Sequence, residues 1–336
     1  MKKTSLTKCI ALLLSLFLIA GCASRNDQSA ESPESVIVLD SNFTHVEPVR
    51  EGYTFTDDLG REVTVYTTMH VAVLLGSFCD IWMLAGGEVN AAVSDAFGNY
   101  DLPEGTRDLG RMLEPDVEAI IATEPGLVIA SAGTDAQVEL LDTFESALIN
   151  VAYFEVSDFD DYLHMLDILT DITGRKDLYE QYGTQIGEQI DEIIAAVPDT
   201  HPTVLFIRAA ASSVKAKGSE GTVGGEILAD LGCINIADSD SAILDDLSLE
   251  AIVAADPDYI FVTTQGEDKE AALANVEDLL INNPAWSQLS AVKNGHYYVI
   301  EKELYNSKPN ARWAEAYQKL YDILYGERYG LLPAFP

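Results

Sequence analysis

The chain has 336 residues, with 55 Asp and Glu against 20 Lys and Arg, a formal net charge of −35. Such an excess of acid argues against a nucleic-acid binder, whose phosphate contacts need a basic surface, and against broad adsorption to anionic lipid. Solubility accounts for most of it.

At the N-terminus a basic head (Lys2, Lys3, Lys8) precedes an apolar run from Cys9 to Ala20, which closes on Leu18-Ile19-Ala20-Gly21-Cys22. A charged start, a short apolar core and small residues at its end describe a secretory signal, and the run is too short to span a bilayer. The cysteine after Ala-Gly also resembles the bacterial lipobox. Residues 1–21 are therefore expected to be a lipoprotein signal peptide, with Cys22 as the lipid-carrying N-terminus. The alternative is an ordinary signal with an incidental cysteine. The polar stretch Ala23 to Ser35 favours the anchor, and residues 22–45 read as a disordered tether. Removing residues 1–21 takes away three lysines and no acid, leaving 17 basic groups against 55 acidic ones. The protein is expected outside the cytoplasm, touching the membrane through its lipid alone. Of the cysteines left, Cys79 and Cys233 lie in apolar segments of different halves, and two buried free thiols are favoured over a disulfide.

Beyond the tether, about 300 residues suffice for one large or two medium domains. Short apolar runs alternate with helical stretches. Val71–Leu75, Leu127–Ser131, Asn150–Phe154, Val204–Arg208, Tyr259–Thr263 and His296–Ile300 read as strands. Asp116–Thr123, Asp135–Phe144, Gly224–Leu231 and Leu249–Ala255 read as helices. This alternation predicts α/β layers with mostly parallel sheets. From Asp158 to Val197 the pattern is helical throughout, broken at Gly174 and ended by Pro198 and Pro202. The second helix, Arg175 to Ala196, would be roughly 33 Å long at 1.5 Å per residue, a strut rather than a linker. The expected division is a first lobe over 46–157, interlobe helices over 158–198 and a second lobe over 199–336.

An internal repeat supports two similar lobes. Asp116 to Ile129 is echoed by Ser248 to Phe261: in each, a Glu-Ala-Ile helix stops at an acid-Pro pair and a buried strand follows. A looser echo pairs Ile81–Leu84, Gly86-Gly87 and Val89–Val93 with Ile227–Leu231, Gly232 and Ile234–Ala237, each a helix ended by glycine and then a short strand. The predicted fold is thus two Rossmann-like α/β lobes with mostly parallel sheets, joined by one long rigid helix, with a ligand cleft between them.

The chain resembles the substrate-binding lipoproteins of ABC importers whose lobes are bridged by one long helix, the group serving ferric siderophores, cobalamin and heme. The resemblance runs from Tyr53 to Tyr325. It rests on Asp57-Asp58-Leu59-Gly60-Arg61-Glu62-Val63-Thr64-Val65, on Gly110-Arg111, on both Glu-Ala-Ile copies, on Asn283-Pro284-Ala285-Trp286 with Ala291-Val292-Lys293-Asn294-Gly295, and on Lys308-Pro309-Asn310-Ala311-Arg312-Trp313. It implies capture of a metal chelate, ferric siderophore first and then corrinoid or heme, for delivery to a permease dimer driven by a cytoplasmic ATPase. It also implies that Glu118 and Glu250, matched in the two copies, dock on permease arginines; helix-dipole stabilisation alone is the alternative. A monomer is expected, with no resident cofactor or metal and no nucleic-acid partner. A surface-anchored interaction module without a transport role remains a second reading.

Catalysis finds no foothold: there is no Gly-x-Ser-x-Gly elbow, His-Glu-x-x-His or Walker lysine, so no catalytic residue is assigned. Gly218 to Gly225 enters a helix after a strand and reads either as an anion cradle or as a plain loop capped by Thr222. No histidines pair at metal-ligand spacing; His296, Met83 and Met112 are imaginable axial donors for heme. The cations are the sharper clue, because they are few and clustered. Arg208 ends a strand, and ligands of open α/β sheets sit beyond strand carboxyl ends. Guanidinium forks there suit an anionic or carbonyl-rich chelate. The candidate cleft set is Arg111 and Arg208, one from each lobe, with Lys215, Lys308, Trp82 and Tyr305. Trp286 and Trp313 are expected to pack their helices.

Overall fold

The computed structural model describes residues 52–326. The expected signal peptide, Cys22 and the tether fall outside the described residues. The chain enters as a hairpin, β1 (Tyr53–Thr56) and β2 (Glu62–Val65), paired antiparallel. Its turn explains the Asp57 to Arg61 motif. Asp57, 3% exposed, accepts from the backbone N–H groups of Leu59, Arg61 and Tyr153 and from the Arg61 guanidinium at 2.6 Å. Gly60 supplies the positive φ (75°) the turn needs.

The first lobe follows as β3 (Val71–Val73), α1 (Gly76–Leu84), β4 (Val89–Ala92), β5 (Arg107–Asp108), a short hairpin β6 (Gly110–Arg111) and β7 (Glu114–Pro115), α2 (Val117–Ala122), β8 (Leu127–Ser131), α3 (Asp135–Val138), α4 (Leu141–Ser146) and β9 (Val151–Phe154). Five strands form one parallel sheet in the order β5-β4-β3-β8-β9. β3, β8 and β9 are buried on both faces, as their nearly continuous apolar runs require. Asp135–Phe144, expected as one helix, is two: the bonds from Leu140 N to Gln137 O and from Thr143 N to Leu140 O close three residues back and tighten the chain between them.

α5 (Phe159–Thr173) is capped by Asp158, whose carboxylate accepts from Asp161 N, and ends at Gly174 in the left-handed region (φ 73°). α6 (Lys176–Tyr179) then runs through a π turn (Glu180–Thr184) into α7 (Gln185–Ala195), one helical rod over 176–195. The second lobe comprises β10 (Thr203–Ala210), β11 (Ser213–Lys217), α8 (Val223–Asp230), β12 (Ile234–Asn235), α9 (Ser241–Leu244), α10 (Leu249–Ala255), β13 (Tyr259–Thr264), α11 (Lys269–Val276), α12 (Ser290–Lys293), β14 (Tyr297–Val299), α13 (Lys302–Tyr305) and α14 (Trp313–Tyr321). Its sheet runs β11-β10-β13-β14, with β12 beside β10; only β11 is antiparallel.

The two sheets repeat one plan. A central first strand (β3, β10) is flanked by the second (β4, β12) and third (β8, β13), with the fourth (β9, β14) outside. One apolar core runs from the first sheet through α5 and α7 to α14 and the second sheet, and each sheet's other face has a core of its own. Trp313 and Trp286 are buried in this packing, as expected. Cys79 is buried and Cys233 half-buried, both free thiols; burial pushes the Cys233 thiol up to about 12. Among the described residues, no helix is long and apolar enough to cross a membrane.

Candidate functional site

Strands that are parallel and doubly wound leave a crevice beyond their carboxyl ends, where the connections part to either side. Both lobes present that edge to one cleft of about 660 Å³. From the first lobe come Ser77, Phe78 and Asp80 of α1, Asp95 and Tyr100 after β4, Ser131 at the end of β8 with Gly133 and Thr134 beyond it, and Glu155 to Ser157 after β9. From the second come Arg208 of β10, Gln265 to Glu267 after β13, and a stretch from Lys302 to Arg312.

The walls differ in charge. Among the described residues the first lobe contributes Asp80, Asp95 and Glu155 and no lysine or arginine, whereas the second contributes Arg208, Lys302, Lys308 and Arg312 with Glu267 and Glu303. Lys302 lies 3.3 Å from Glu267, and Arg312 lies 2.6 Å from Glu315. Among the described residues, Arg208 and Lys308 have no carboxylate within ion-pair distance. Burial lowers the pKa of the Arg208 guanidinium. It also lowers that of Lys308, where the charge of Arg208 adds to the effect and Glu155 and Asp161 oppose it. On the other wall, burial raises the pKa of Asp80, against a hydrogen bond from Asn310, and that of Asp95, against one from Gly76 N.

Beside the cleft is a recess of about 50 Å³ that shares Ser157, Arg208, Gly221, Asn306 and Lys308 with its wall. Phe206, Val223 and Tyr305 supply its apolar surface and Lys217 a further cation. Lys217 is held below the usual lysine range by burial, with Arg208 and Lys215 adding repulsion. Lys308 is positioned by the motif that contains it. Asn310, 1% exposed and left-handed (φ 54°), donates to Ser77 O at 2.9 Å and to Asp80 Oδ2 at 2.8 Å, tying this stretch to α1 of the first lobe.

The structure brings only part of the predicted set together. Arg208 and Lys308 line the cleft, and Tyr305, 1% exposed with its hydroxyl donating to Ala316 O, walls the recess. Lys215 stands opposite Arg208 in the β10–β11 ladder, exposed and outside the lining. Arg111 is exposed on β6 and outside the lining too, so the expectation of one arginine from each lobe gives way to cations from the second lobe only. Trp82 is a correction of the same kind. It is 1% exposed in the core, its indole N–H donates to Glu88 O, and Gly87 is bare because a Cβ there would meet the ring at 1.9 Å.

Asp80, Asp95, Glu155, Lys217 and Gln265 were not in the predicted set. Glu155 and Gln265 directly follow strands, so the carboxyl-end rule applied residue by residue would have found them. The Gly218 to Gly225 segment is the plain loop of the two readings. Ser219 N is taken by Asp238 and Gly221 N by Glu226, while a Cβ at Gly224 would meet Phe206 at 2.4 Å. Thr222 precedes α8 without a side-chain cap bond. Of the imagined heme donors, Met112 lines the cleft, Met83 packs against the core and His296 stacks on Tyr259 at 4.3 Å. Glu118 and Glu250 are both exposed, each two residues past its cap; Asp116 accepts from Ala119 N, and Ser248 from Ala251 N.

Two doubly wound lobes around a cleft with four cations on one wall, Arg208, Lys302, Lys308 and Arg312, define a protein that holds a solute between its halves. The sequence profile of the periplasmic binding protein family matches residues 71–304, and the chain belongs to that family. It is therefore an extracytoplasmic binding protein of a transport system, working with a permease, and not an enzyme. It is 24% identical over 305 residues to the iron-uptake system-binding protein of Bacillus subtilis, covering 89% of this chain and 91% of that one. It is 25% identical over 299 residues to the Fe(3+)-citrate-binding protein YfmC of the same organism, covering 87% and 88%. The solved catecholate-siderophore binding protein VctP from Vibrio cholerae shares its fold, with a TM-score of 0.65 at 16% identity over 82% of this chain and 99% of that chain.

Proposed function

We propose that this chain is the lipid-anchored substrate-binding component of an ABC importer for a metal chelate, with a ferric siderophore as the first choice. The observation that carries this reading is the cleft: about 660 Å³, within the range of small-molecule sites, with Arg208 and Lys308 on one wall and, among the described residues, no carboxylate within ion-pair distance of either. Among the described residues no three His, Cys, Asp or Glu side chains come together to hold a metal, so an ion entering this cleft would bring its own ligands. The iron-related names of the relatives agree with that cargo. Anchorage is read from residues 1–22, and docking on a permease dimer from Glu118 and Glu250.

The test is thermal unfolding with a panel of ferric catecholate, hydroxamate and carboxylate chelates, a corrinoid and heme. A cargo at one hundred times its Kd adds about 2.7 kcal/mol, a rise of about 5 °C for a chain of this size. A protein whose melting is unmoved by every ferric chelate is not a siderophore receptor. Heme is the second reading, favoured by Met112 in the lining; a Soret band lost on Met112→Ala would select it.

A further inference from the structure

We propose that the recess beside the cleft is a subsite for one carboxylate arm of the cargo, held by Arg208, Lys217 and Lys308; this rests on the reading of the cleft as a chelate site. Strand geometry builds it. Alternation along β10 puts Phe206 and Arg208 on one face, and the antiparallel register sets Lys217 opposite Phe206 and Lys215 opposite Arg208. Phe206 becomes apolar wall, and cations from two strands crowd beside it, with Lys308 arriving from the stretch before α14. Neighbouring like charges destabilise a sheet, and a partly buried cation is costly without a partner.

The protein has 55 acidic residues against 20 basic ones, yet among the described residues none comes within ion-pair distance of these three. The cleft's other cations, Lys302 and Arg312, are each paired. Glu155 and Asp161 reach Lys308 only at longer range. A guest that brings negative charge relieves the repulsion.

Size and chemistry narrow the guest. The recess of about 50 Å³ admits a group of a few heavy atoms, not an aromatic ring. A guanidinium fork matches a planar carboxylate, and two ammonium groups add charge without demanding geometry. The neighbouring loop adds little, since its Ser219 and Gly221 amides are spent on Asp238 and Glu226. Because the charged residues that the first lobe brings to the cleft are, among the described residues, all acids, the anionic end of a chelate points into the second lobe, which fixes its orientation.

Metal-free citrate and ferric citrate are the probes, titrated into wild type, Lys217→Gln and Arg208→Gln at an ionic strength matched with sodium chloride. Metal-free citrate should raise the melting temperature of the wild type. Each substitution should weaken citrate by about tenfold, and ferric citrate should displace it. Melting of the empty variants on the same samples reports whether they fold, and the two substitutions lie on different strands. The subsite is overturned if citrate gives nothing beyond the salt control, or stabilises Lys217→Gln as much as wild type. Ferric citrate bound without displacing citrate overturns the assignment to a cargo arm. If citrate binds through Lys217 while no ferric chelate binds, the recess stands and the siderophore reading fails.

Discussion

Lys217 and Lys308 carry opposite consequences for stability and for binding as pH rises. Burial lowers both pKa values, with the charge of Arg208 adding to each and that of Lys215 to Lys217. The folded state therefore sheds these protons before the unfolded chain does, whose lysines hold theirs to ~10.4. Their penalty is complete below the folded pKa values and fades as pH rises towards the unfolded value, so stability gains with pH in that window. Affinity for an anionic cargo falls across the same window, because the charge that holds it is lost. Lys217→Gln should accordingly be more stable than wild type in urea at about pH 7.5 and lose that advantage near pH 10. A variant less stable than wild type at the lower pH would mean that Lys217 is not under repulsion. Strand position alone was enough to bring Arg208 to the cleft wall. It could not place Trp82 or Arg111, whose decisive neighbours, Gly87 beneath the indole and the hairpin that carries Arg111 outward, depend on how the chain turns.

Within elements, α2 and α10 separate helix capping from docking. Asp116 and Ser248 already satisfy the first-turn amides, so Glu118 and Glu250 are not needed as caps. Each helix feeds the strand after it from that strand's N-terminal end, which places the two glutamates on the carboxyl-end side of their sheets, the side of the cleft. Replacing Asp116 or Ser248 by Ala should cost about 1 kcal/mol of stability each and leave uptake intact. Glu118→Ala with Glu250→Ala should cost no more than about 1 kcal/mol in total, keep ligand affinity and abolish uptake in a reconstituted importer. Normal transport by the double variant would leave these residues with the helix dipole alone. Most of the elements were legible: Leu127–Ser131 and Leu249–Ala255 match the observed bounds residue for residue, and Gly174 breaks the helices as expected. The hairpin strand β11 was not read. Its Ser213–Lys217 alternation covers one apolar face, yet a five-residue run carries that information only once its partner is known.

Across the whole molecule, the continuous core through α5, α7 and α14 and the Asn310 bonds to Ser77 and Asp80 resist hinge opening. Ligand addition should leave the radius of gyration in small-angle scattering nearly unchanged; a large contraction would show that the helical rod bends. The sequence by itself determined two α/β lobes, their order, the stiff connection and the matched helices, because local periodicity, caps and an internal repeat encode these within short windows of chain. It also marked the cations as scarce and clustered. Only the tertiary structure decided which of them face the cleft. Lys308 and Arg208 are 100 positions apart and line one cleft because Asn310 is tied to α1 and because Arg208 stands near the carboxyl end of β10. Charge partners and cavities are relations between distant segments, fixed by packing, and no window of sequence contains them.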